Sequence, residues 1–301
     1  MGCAISWIRV MTDSLLQVED LVVETRDRTV RDEEAGTLPR QLVHGISFTV
    51  GREKVAIVGE SGSGKSLTAR AIMGLLPTSL AARAAGLRLG ETDLAGLDAR
   101  GWQRLRGRRI GLVLQDPKFS LNPAHRIGRQ VEEVLLLHGR LPKAERRRKA
   151  LAMLADVGLD DPERIYASLP AELSGGMGQR VMIAAMLIGE PELLIADEPT
   201  SALDHVVRDQ ILALIERLAR ERGMGLLLIS HDLQQVSHFA DRVLVMRRGS
   251  IVDALPANQL AQATQPYTRG LWQARPSAAT YGTRLPAPDT PQAPYPGDAR
   301  P

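Results

Sequence analysis

Two glycine-rich turns in the sequence have the composition of loops that hold phosphate groups. The first is G-E-S-G-S-G-K-S over residues 59–66, and the second lies in L-S-G-G-M-G-Q-R over residues 173–180. The first matches G-x-x-x-x-G-K-[ST] between a buried strand and a helix, where backbone N–H groups and the lysine surround phosphate oxygens. An incidental glycine turn is a poor alternative in that context. The pattern predicts a nucleotide site formed by Gly59, Glu60, Ser61, Gly62, Ser63, Gly64, Lys65, Ser66 and Leu67.

Two adjacent acids follow a run of apolar residues in L-L-I-A-D-E, residues 193–198. Carboxylates that end a buried strand are costly unless a cation or a reacting water lies beside them. We therefore expect Asp197 to hold Mg²⁺ through water and Glu198 to polarise an attacking water. The alternative is a pair of surface acids that simply follow a strand.

Gln115 and His231 also follow apolar runs, R-I-G-L-V-L-Q and G-L-L-L-I-S. A Gln115 amide could ligate Mg²⁺ and sense the γ-phosphate, and His231 could contact the γ-phosphate. A lone glutamine at a strand end means little, and a lone histidine is more often structural. Their placement favours a role in the site, because ligands bind at the carboxyl ends of strands in open α/β sheets.

Short apolar runs that alternate with helical segments predict the elements that position these residues. The predicted strands cover residues 16–24, 45–50, 54–58, 109–115, 192–198 and 224–232, with a hairpin over 241–255 that turns at Arg248 and Gly249. Helices are predicted over 65–75 and 204–222, and residues 126–185 form a charged helical stretch. Residues 25–41 read as an exposed loop. This order predicts a mainly parallel sheet covered on both faces, with an inserted helical lobe.

The composition limits the ways in which the chain could associate with a membrane. The 301 residues carry a formal net charge of +3 and one cysteine, Cys3, so a reducing compartment is expected. No apolar run approaches the roughly 18 residues that span a bilayer, and the N-terminus lacks the pattern of a secretory signal. Gly2 and Ser6 match a myristoylation pattern that is loose enough to occur by chance. Basic runs at 104–109 and 145–150 read as solvated helix faces. Any membrane role is therefore expected to come through partners.

The motifs, taken in order, resemble the nucleotide-binding subunits of ATP-binding cassette (ABC) transporters. They are G-E-S-G-S-G-K-S, L-Q-D-P, L-S-G-G-M-G-Q-R, L-L-I-A-D-E-P-T-S-A-L-D and I-S-H-D, and the similarity covers about residues 16–271. The stretches Q-D-P-K-F-S-L-N-P and Q-P-Y-T-R-G-L are similar to import ATPases for oligopeptides, dipeptides, nickel and related metal chelates.

The resemblance implies an α/β fold of the P-loop NTPase type. Its core would be a mainly parallel sheet, with an antiparallel β subdomain and an α-helical subdomain inserted at about residues 120–185. The ATPase domain would cover residues 16–275. Residues 1–15 would be an N-terminal extension, and chain initiation at Met11 stays an alternative to Met1. Residues 276–301 are rich in proline and alanine and are expected to be disordered.

The resemblance also accounts for the second glycine-rich turn. Cassettes of this family pair head to tail, which implies that Ser174, Gly175 and Gly176 contact the γ-phosphate bound by a partner cassette. The implied cofactors are ATP and Mg²⁺, with Ser66, Gln115 and Asp197 as metal ligands. The implied catalytic residues are Glu198, His231, Lys65 and Gln115. Residues 201–204 would form the loop that communicates across the dimer.

The implied function is the ATP-hydrolysing subunit of a bacterial importer, peripheral at the cytoplasmic face of the inner membrane. Its partners would be membrane-spanning permease subunits, a second ATPase subunit (the same chain or a paralogue) and, through the permeases, an extracytoplasmic solute-binding protein. The region around Gln115 and the helical subdomain would receive a permease helix.

One alternative is a nucleic-acid-linked cassette ATPase. Such proteins usually have paired cassettes, long coiled coils or zinc modules, which this sequence lacks, so no nucleic-acid partner is expected. The second glycine-rich turn argues against another alternative, a kinase-like P-loop enzyme.

Two positions depart from the pattern of the family. Relatives usually have arginine or glutamine where this chain has Gly178, and the glycine is expected to soften the helical subdomain. Relatives also place an aromatic residue near the end of the first strand, where it stacks on adenine. This chain has Thr25 at that position, followed by Arg26.

The missing aromatic predicts weak discrimination between ATP and GTP. Stacking a base on an aromatic ring contributes about 1–3 kcal/mol, so Thr25→Tyr is expected to bind both nucleotides roughly ten- to a hundredfold more tightly. Arg26→Ala tests whether a guanidinium plane stacks on the base instead. The measurement is titration of both nucleotides against the three proteins. A strong ATP preference that survives Arg26→Ala, with no gain in Thr25→Tyr, would show that another residue holds the base.

Overall fold

The computed structural model describes residues 14–26, 39–114, 120–201 and 203–275. The strands in chain order are β1 (Leu16–Thr25), β2 (Gln41–Val50), β3 (Lys54–Val58), β4 (Leu80–Arg83), β5 (Gly86–Leu89), β6 (Thr92–Asp93), β7 (Ile110–Val113), β8 (Leu193–Asp197), β9 (Gly225–Ile229), β10 (Arg242–Arg247) and β11 (Ser250–Pro256). The α-helices are α1 (Lys65–Ile72), α2 (Ala99–Leu105), α3 (Ile127–Val131), α4 (Glu133–His138), α5 (Lys143–Asp156), α6 (Pro162–Ala167), α7 (Gly175–Leu187), α8 (His205–Arg222), α9 (Leu233–Phe239) and α10 (Pro266–Gln273). Short 3₁₀ helices cover Pro170–Glu172 and Ala257–Gln262.

The larger sheet has six strands in the order β11–β10–β3–β9–β8–β7. All neighbours pair in parallel except β10 and β11, which form an antiparallel hairpin. Every residue of β8 and β9 is buried, because helices or the second sheet cover both faces. The predicted parallel α/β sheet is therefore confirmed. The hairpin turn also lies where it was predicted, and Arg248 and Gly249 both have positive φ, as two-residue hairpin turns favour.

The smaller sheet is antiparallel, with the order β2–β1–β5–β6 and with β4 also paired to β1. Its apolar face includes Val18 and Ile46, which belong to one core with Ile57 of β3, Ile72 of α1 and Leu227 of β9. The small sheet is thus fixed against α1 and one face of the large sheet. This is the antiparallel β subdomain that the family resemblance implied.

Helices α3 to α7 form a lobe that shares a second core with the opposite face of the large sheet. That core contains Leu154, Ile165 and Val181 together with residues of β8, β9 and α8. Inside the lobe, the buried Glu132 accepts a hydrogen bond from Tyr166 and pairs with Arg146. Burial, with the hydrogen bond to Glu132, raises the pKa of Tyr166 to about 12, so its hydroxyl remains a donor. None of the described helices is both long enough and apolar enough to cross a membrane.

Several predicted boundaries differ from the structure. Helix α1 ends at Ile72 rather than at residue 75, and β2 begins at Gln41 rather than at residue 45. Strand β7 ends at Val113, before the predicted end at Gln115. Strands β4 to β6 were not predicted, because they are only two to four residues long and largely exposed or half-buried. Gln115, most of the loop predicted over 25–41 and the terminal segments 1–13 and 276–301 lie outside the described residues.

Candidate nucleotide site

The carboxyl ends of three neighbouring parallel strands bring most of the predicted site residues to one edge of the large sheet. Strand β9 lies between β3 and β8, and it pairs with both in parallel. The glycine-rich loop follows β3, Asp197 ends β8 with Glu198 directly after it, and His231 lies two residues beyond β9. This is the edge at which open α/β sheets bind ligands.

The first glycine-rich turn has the backbone geometry of an anion-binding loop. Gly59, Gly62 and Gly64 have φ values of 152°, 80° and 102°, a region that side chains disfavour. A Cβ atom on Gly59 would lie 2.0 Å from the carbonyl oxygen of Met246 on β10, so only glycine fits there. Gly64 caps α1 without any side-chain hydrogen bond, and the helix N-terminus therefore offers N–H groups and a positive dipole end to an anion.

Lys65 is buried in this turn, with 6% of its surface exposed. Its ammonium donates hydrogen bonds to the carbonyl oxygens of Gly59 and Glu60, at 2.9 and 2.8 Å. Burial lowers the pKa of Lys65, and the nearby Glu198 and Asp197 oppose that shift. The buried Ser63 hydroxyl has no hydrogen-bond partner among the described residues. A bound phosphate would supply both a negative charge and acceptor atoms to this loop, so the residues present fit a nucleoside triphosphate.

Ser66 and Asp197 form the pair of oxygen ligands that Mg²⁺ would use. The Ser66 hydroxyl donates to Asp197 Oδ1 at 2.9 Å, which joins the start of α1 to the end of β8. Asp197 is 7% exposed, and burial raises its pKa, although the hydrogen bond from Ser66 opposes that shift. A divalent cation bound here would favour the ionised carboxylate. A hydroxyl and a carboxylate are hard oxygen ligands of the kind that Mg²⁺ takes together with substrate phosphates and water.

Glu198 and His231 face each other beside this pair. Nδ1 of His231 lies 3.3 Å from Glu198 Oε1, and the histidine side chain is 63% exposed. Glu198 has a φ of 48°, in the left-handed region that is rare for residues other than glycine. Its N–H donates to the Ile229 carbonyl at 3.0 Å, and its own carbonyl accepts from the Ser201 hydroxyl at 3.1 Å. The carboxylate is therefore presented from a backbone that is held on both sides.

The second glycine-rich turn lies at the start of another helix. Ser174 caps α7, and its hydroxyl accepts a hydrogen bond from the Met177 N–H at 3.3 Å. The nearest atoms to a Cβ built on Gly175 and on Gly176 belong to Leu203 and Val207, rather than to the phosphate loop. The structure thus places this turn beside the start of α8, apart from the loop that it resembles in composition.

The two departures from the family pattern lie in regular structure. Helix α7 continues through the buried Gly178 to Leu187, and the softening expected of this glycine stays a prediction. Thr25 ends β1, where its hydroxyl accepts from the Arg40 N–H at 3.1 Å. The Nε atom of the exposed Arg26 donates to the Leu80 carbonyl at 2.9 Å. Thr25 thus ends a strand of the antiparallel sheet and Arg26 directly follows it, and their effect on nucleotide selectivity stays a prediction.

Sequence reasoning missed two features of the site. Asp232 caps α9 and pairs with Arg208 at 2.9 Å, which fixes the chain just after His231. An aspartate directly before the run L-Q-Q-V could have revealed that cap. The second feature is the hydrogen bond from the buried Gln179 to the Pro199 carbonyl. A contact between a helix interior and a loop has no periodic signal in the sequence.

Residues 43–201 match the family model described as "ABC transporter". The chain is 44% identical over 260 residues to a probable peptide ABC transporter ATP-binding protein of Sinorhizobium fredii, with 85% of this chain and 77% of the relative covered. It is also 44% identical over 282 residues to the oligopeptide transport ATP-binding protein OppD of Mycobacterium bovis, with 92% of this chain and 45% of the relative covered. The chain therefore spans most of the first relative and about half of the second.

Solved structures of one ABC transporter cassette, MJ0796, have a similar fold. The dimeric structure of this bacterial cassette has a TM-score of 0.68 and 28% sequence identity, with 80% of this chain and 98% of that chain covered. A dimeric post-hydrolysis state of the same cassette, bound to ADP and Pi, gives a TM-score of 0.66 and 27% identity over the same shares of the two chains.

Burial of Asp197 predicts opposite effects of Asp197→Asn on stability and on ligand binding. Because burial raises the carboxyl pKa above its value in the unfolded chain, the ionised form opposes folding at neutral pH. The uncharged amide is therefore expected to raise the thermal unfolding midpoint of the nucleotide-free protein. Loss of a metal ligand is expected to weaken Mg²⁺–ATP binding at least about tenfold, or about 1.4 kcal/mol.

The measurement is thermal unfolding with and without Mg²⁺–ATP. Asp98→Asn is the matched control, because Asp98 caps α2 away from the site and asparagine caps a helix equally well. A lower midpoint of the nucleotide-free Asp197→Asn protein, or an unchanged affinity for Mg²⁺–ATP, would contradict this account.

Proposed function

The chain belongs to the ABC transporter family of ATPases, and from that premise we propose that it powers the uptake of a small solute by a bacterial importer. Peptides are the favoured class of solute, because the relatives in Sinorhizobium fredii and Mycobacterium bovis are named as peptide and oligopeptide transport proteins. Nickel or another metal chelate is the remaining solute class. The observation that carries the proposal is the meeting of Lys65, the Ser66–Asp197 pair and the Glu198–His231 pair at one edge of the sheet.

The reaction is the attack of water on the γ-phosphorus of ATP, which breaks the bond to the β–γ bridging oxygen and yields ADP and phosphate. Lys65 would exchange its two carbonyl partners for β- and γ-phosphate oxygens, where its charge stabilises the negative charge of the transition state. Mg²⁺, held by Ser66 and Asp197 and in our proposal also by Gln115, would neutralise charge on the phosphates. Glu198 would orient the attacking water and accept its proton.

His231 would act beside Glu198. Its Nδ1 atom lies 3.3 Å from the carboxylate, so the imidazole can hold Glu198 in one orientation while its exposed part contacts the γ-phosphate. The Arg208–Asp232 pair fixes the chain directly after His231. Positioning and electrostatics of this kind supply most of the catalysis in phosphoryl transfer.

The working unit would contain two cassettes that pair head to tail, with Ser174, Gly175 and Gly176 completing the site of the partner. Two findings support this pairing. The turn lies at a helix N-terminus that packs on Leu203 and Val207 rather than on its own phosphate loop. The similar cassette MJ0796 is a dimer in its solved structure. The second cassette would be another copy of this chain or a paralogue.

The importer would also contain membrane-spanning permease subunits, which in turn receive solute from an extracytoplasmic binding protein. The names of the relatives as transport ATP-binding proteins support this assembly. The chain would lie peripherally at the cytoplasmic face of the inner membrane. The helical lobe and the segment around Gln115 would receive a permease helix, so that hydrolysis at the sheet edge moves the permease.

Glu198→Gln and Lys65→Ala are expected to separate hydrolysis from binding. Glu198→Gln should bind ATP with nearly unchanged affinity, lose hydrolysis by at least about a hundredfold and accumulate an ATP-bound dimer, because only the proton acceptor is removed. Lys65→Ala should weaken ATP binding itself, since a buried charge–phosphate contact is lost. Nucleotide titration, phosphate release and size-exclusion chromatography measure these effects. The exposed Glu163 supplies the control Glu163→Gln, and normal turnover by Glu198→Gln would contradict the assignment.

Mixing two inactive variants tests whether the second turn acts on the partner. In a dimer of two copies, Ser174→Arg and Lys65→Ala proteins should form a heterodimer with one intact composite site, because each chain supplies what the other lacks. ATP hydrolysis should then exceed that of either variant alone. The control mixes wild type with the Lys65→Ala, Ser174→Arg double variant. In that heterodimer each composite site lacks one component, so little activity is expected. Absence of recovery in a demonstrated heterodimer would count against the arrangement.

A further inference from the structure

Gln179 is a fully buried amide on α7, one helical turn after Gly176. None of its surface is exposed, and its Nε2 atom donates a hydrogen bond to the Pro199 carbonyl. Pro199 directly follows Glu198, so this bond joins the helix that begins with the second glycine-rich turn to the segment that presents the proposed proton acceptor. The two ends of the bond belong to half-sites that would act on different nucleotides.

The orientation of the Gln179 amide follows from chemistry. A proline carbonyl only accepts hydrogen bonds, so the NH₂ group must face it and the amide oxygen must point away. That oxygen, Oε1, is buried and has no hydrogen-bond partner among the described residues. A buried acceptor without a partner is unfavourable for stability, and an apolar side chain of the same shape would avoid that cost. Stability alone therefore does not explain a glutamine at this position.

The backbone next to the bond is strained, and hydrogen bonds on both sides of Glu198 hold it. Glu198 has a φ of 48°, and such residues keep their conformation only when the surroundings fix them. The Glu198 N–H is bonded to Ile229 of β9, and the Glu198 carbonyl is bonded within its own loop by Ser201. Within the part of the chain that the structure describes, the bond from Gln179 to Pro199 is the polar contact that ties this segment to α7.

We propose that Gln179 is a positioning residue that couples the two half-sites within one chain. When the nucleotide of the partner engages Ser174, Gly175 and Gly176, any shift of α7 is passed through the Gln179 amide to Pro199 and thus to the carboxylate of Glu198. The proposal rests on the proposed function, because it takes Glu198 as the proton acceptor and the second turn as acting on the partner.

Apolar packing between α7 and α8 makes the hydrogen bond testable by itself. Val181 and Ala184 of α7 share one buried apolar core with Ile211 and Ile215 of α8. This packing does not involve the Gln179 amide, so it keeps α7 against α8 when the hydrogen bond is removed. Gln179→Leu and Gln179→Met therefore remove the bond with little change in shape, and Gln179→Glu places a carboxylate against a carbonyl oxygen.

The first test is steady-state ATP hydrolysis by the full-length dimer over a range of ATP concentrations. Gln179→Leu and Gln179→Met are expected to lower kcat about tenfold while KM changes less than about twofold, because the phosphate loop is untouched. The Hill coefficient should fall toward one, since each site no longer responds to the other. Gln179→Glu should lose more activity than either. A kcat and Hill coefficient equal to those of wild type in both apolar variants would overturn the proposal.

Gln130→Leu is the matched control for a purely structural glutamine. Gln130 is a buried amide on α3 whose side chain bonds to Asn122 and His125 of the helical lobe and to neither glycine-rich turn among the described residues. Its loss should lower the thermal midpoint but leave kcat per folded molecule and the Hill coefficient unchanged. If Gln179→Leu behaves like Gln130→Leu, the glutamine is merely structural and the proposal fails.

A double-mutant cycle with Glu198→Gln separates this proposal from the function on which it rests. If Gln179 acts through the carboxylate, Gln179→Leu should have no further effect on the residual turnover of Glu198→Gln. If the losses of turnover caused by the two substitutions multiply in the double variant, the proposal is overturned and the role of Glu198 is left intact. Normal turnover by Glu198→Gln alone would instead remove the proposed function, and the positioning role with it.

Discussion

Lys65 and Asp197 are opposite charges buried at the same edge of the parallel sheet, and the site depends on that arrangement. Burial lowers the pKa of Lys65 and raises that of Asp197, so each side chain is held where its charged form is disfavoured. An anion beside the lysine and a cation beside the aspartate would relieve both penalties together. A nucleotide bound with its metal is a ligand of that kind. The electrostatics thus favour simultaneous binding of phosphate and Mg²⁺.

The sheet makes this burial possible because it is parallel and covered on both faces. The apolar strands β8 and β9 are buried along their whole length, so the side chains that end or follow them lie next to a buried sheet. The carbonyl of Met246 on β10 leaves no room for a side chain at Gly59, and the Gly249 N–H donates to the Ser63 carbonyl at 2.9 Å. The phosphate loop is therefore shaped from outside by the β10–β11 hairpin as well as by its own glycines.

The central strands and the position of the phosphate loop could be predicted from the sequence, since fully buried strands are short apolar runs and the loop has a fixed pattern. The strands β4 to β6 could not, because they are two to four residues long and mostly not buried. The contact of Gln179 with Pro199 could not be predicted either. It joins residues twenty positions apart in the chain, and neither side chain type signals the pairing. The placement of Gln115 stays a prediction, and so do the catalytic roles of Glu198 and His231.

The long-range pairing of β3 with β9 and β10 has a consequence for the synthesis of the chain. The phosphate loop leaves the ribosome early, but Met246 and Gly249, which pack against it, belong to the last quarter of the described chain. At about 5–20 residues per second, the roughly 180 residues between them take on the order of 10–40 s to make. During most of that interval β3 has neither of its parallel partners, so the backbone N–H and C=O groups of its run K-V-A-I-V are unpaired. Nucleotide binding can therefore stabilise the folded phosphate loop only after translation is almost complete. A nascent chain that stalls before β9 would be prone to aggregate.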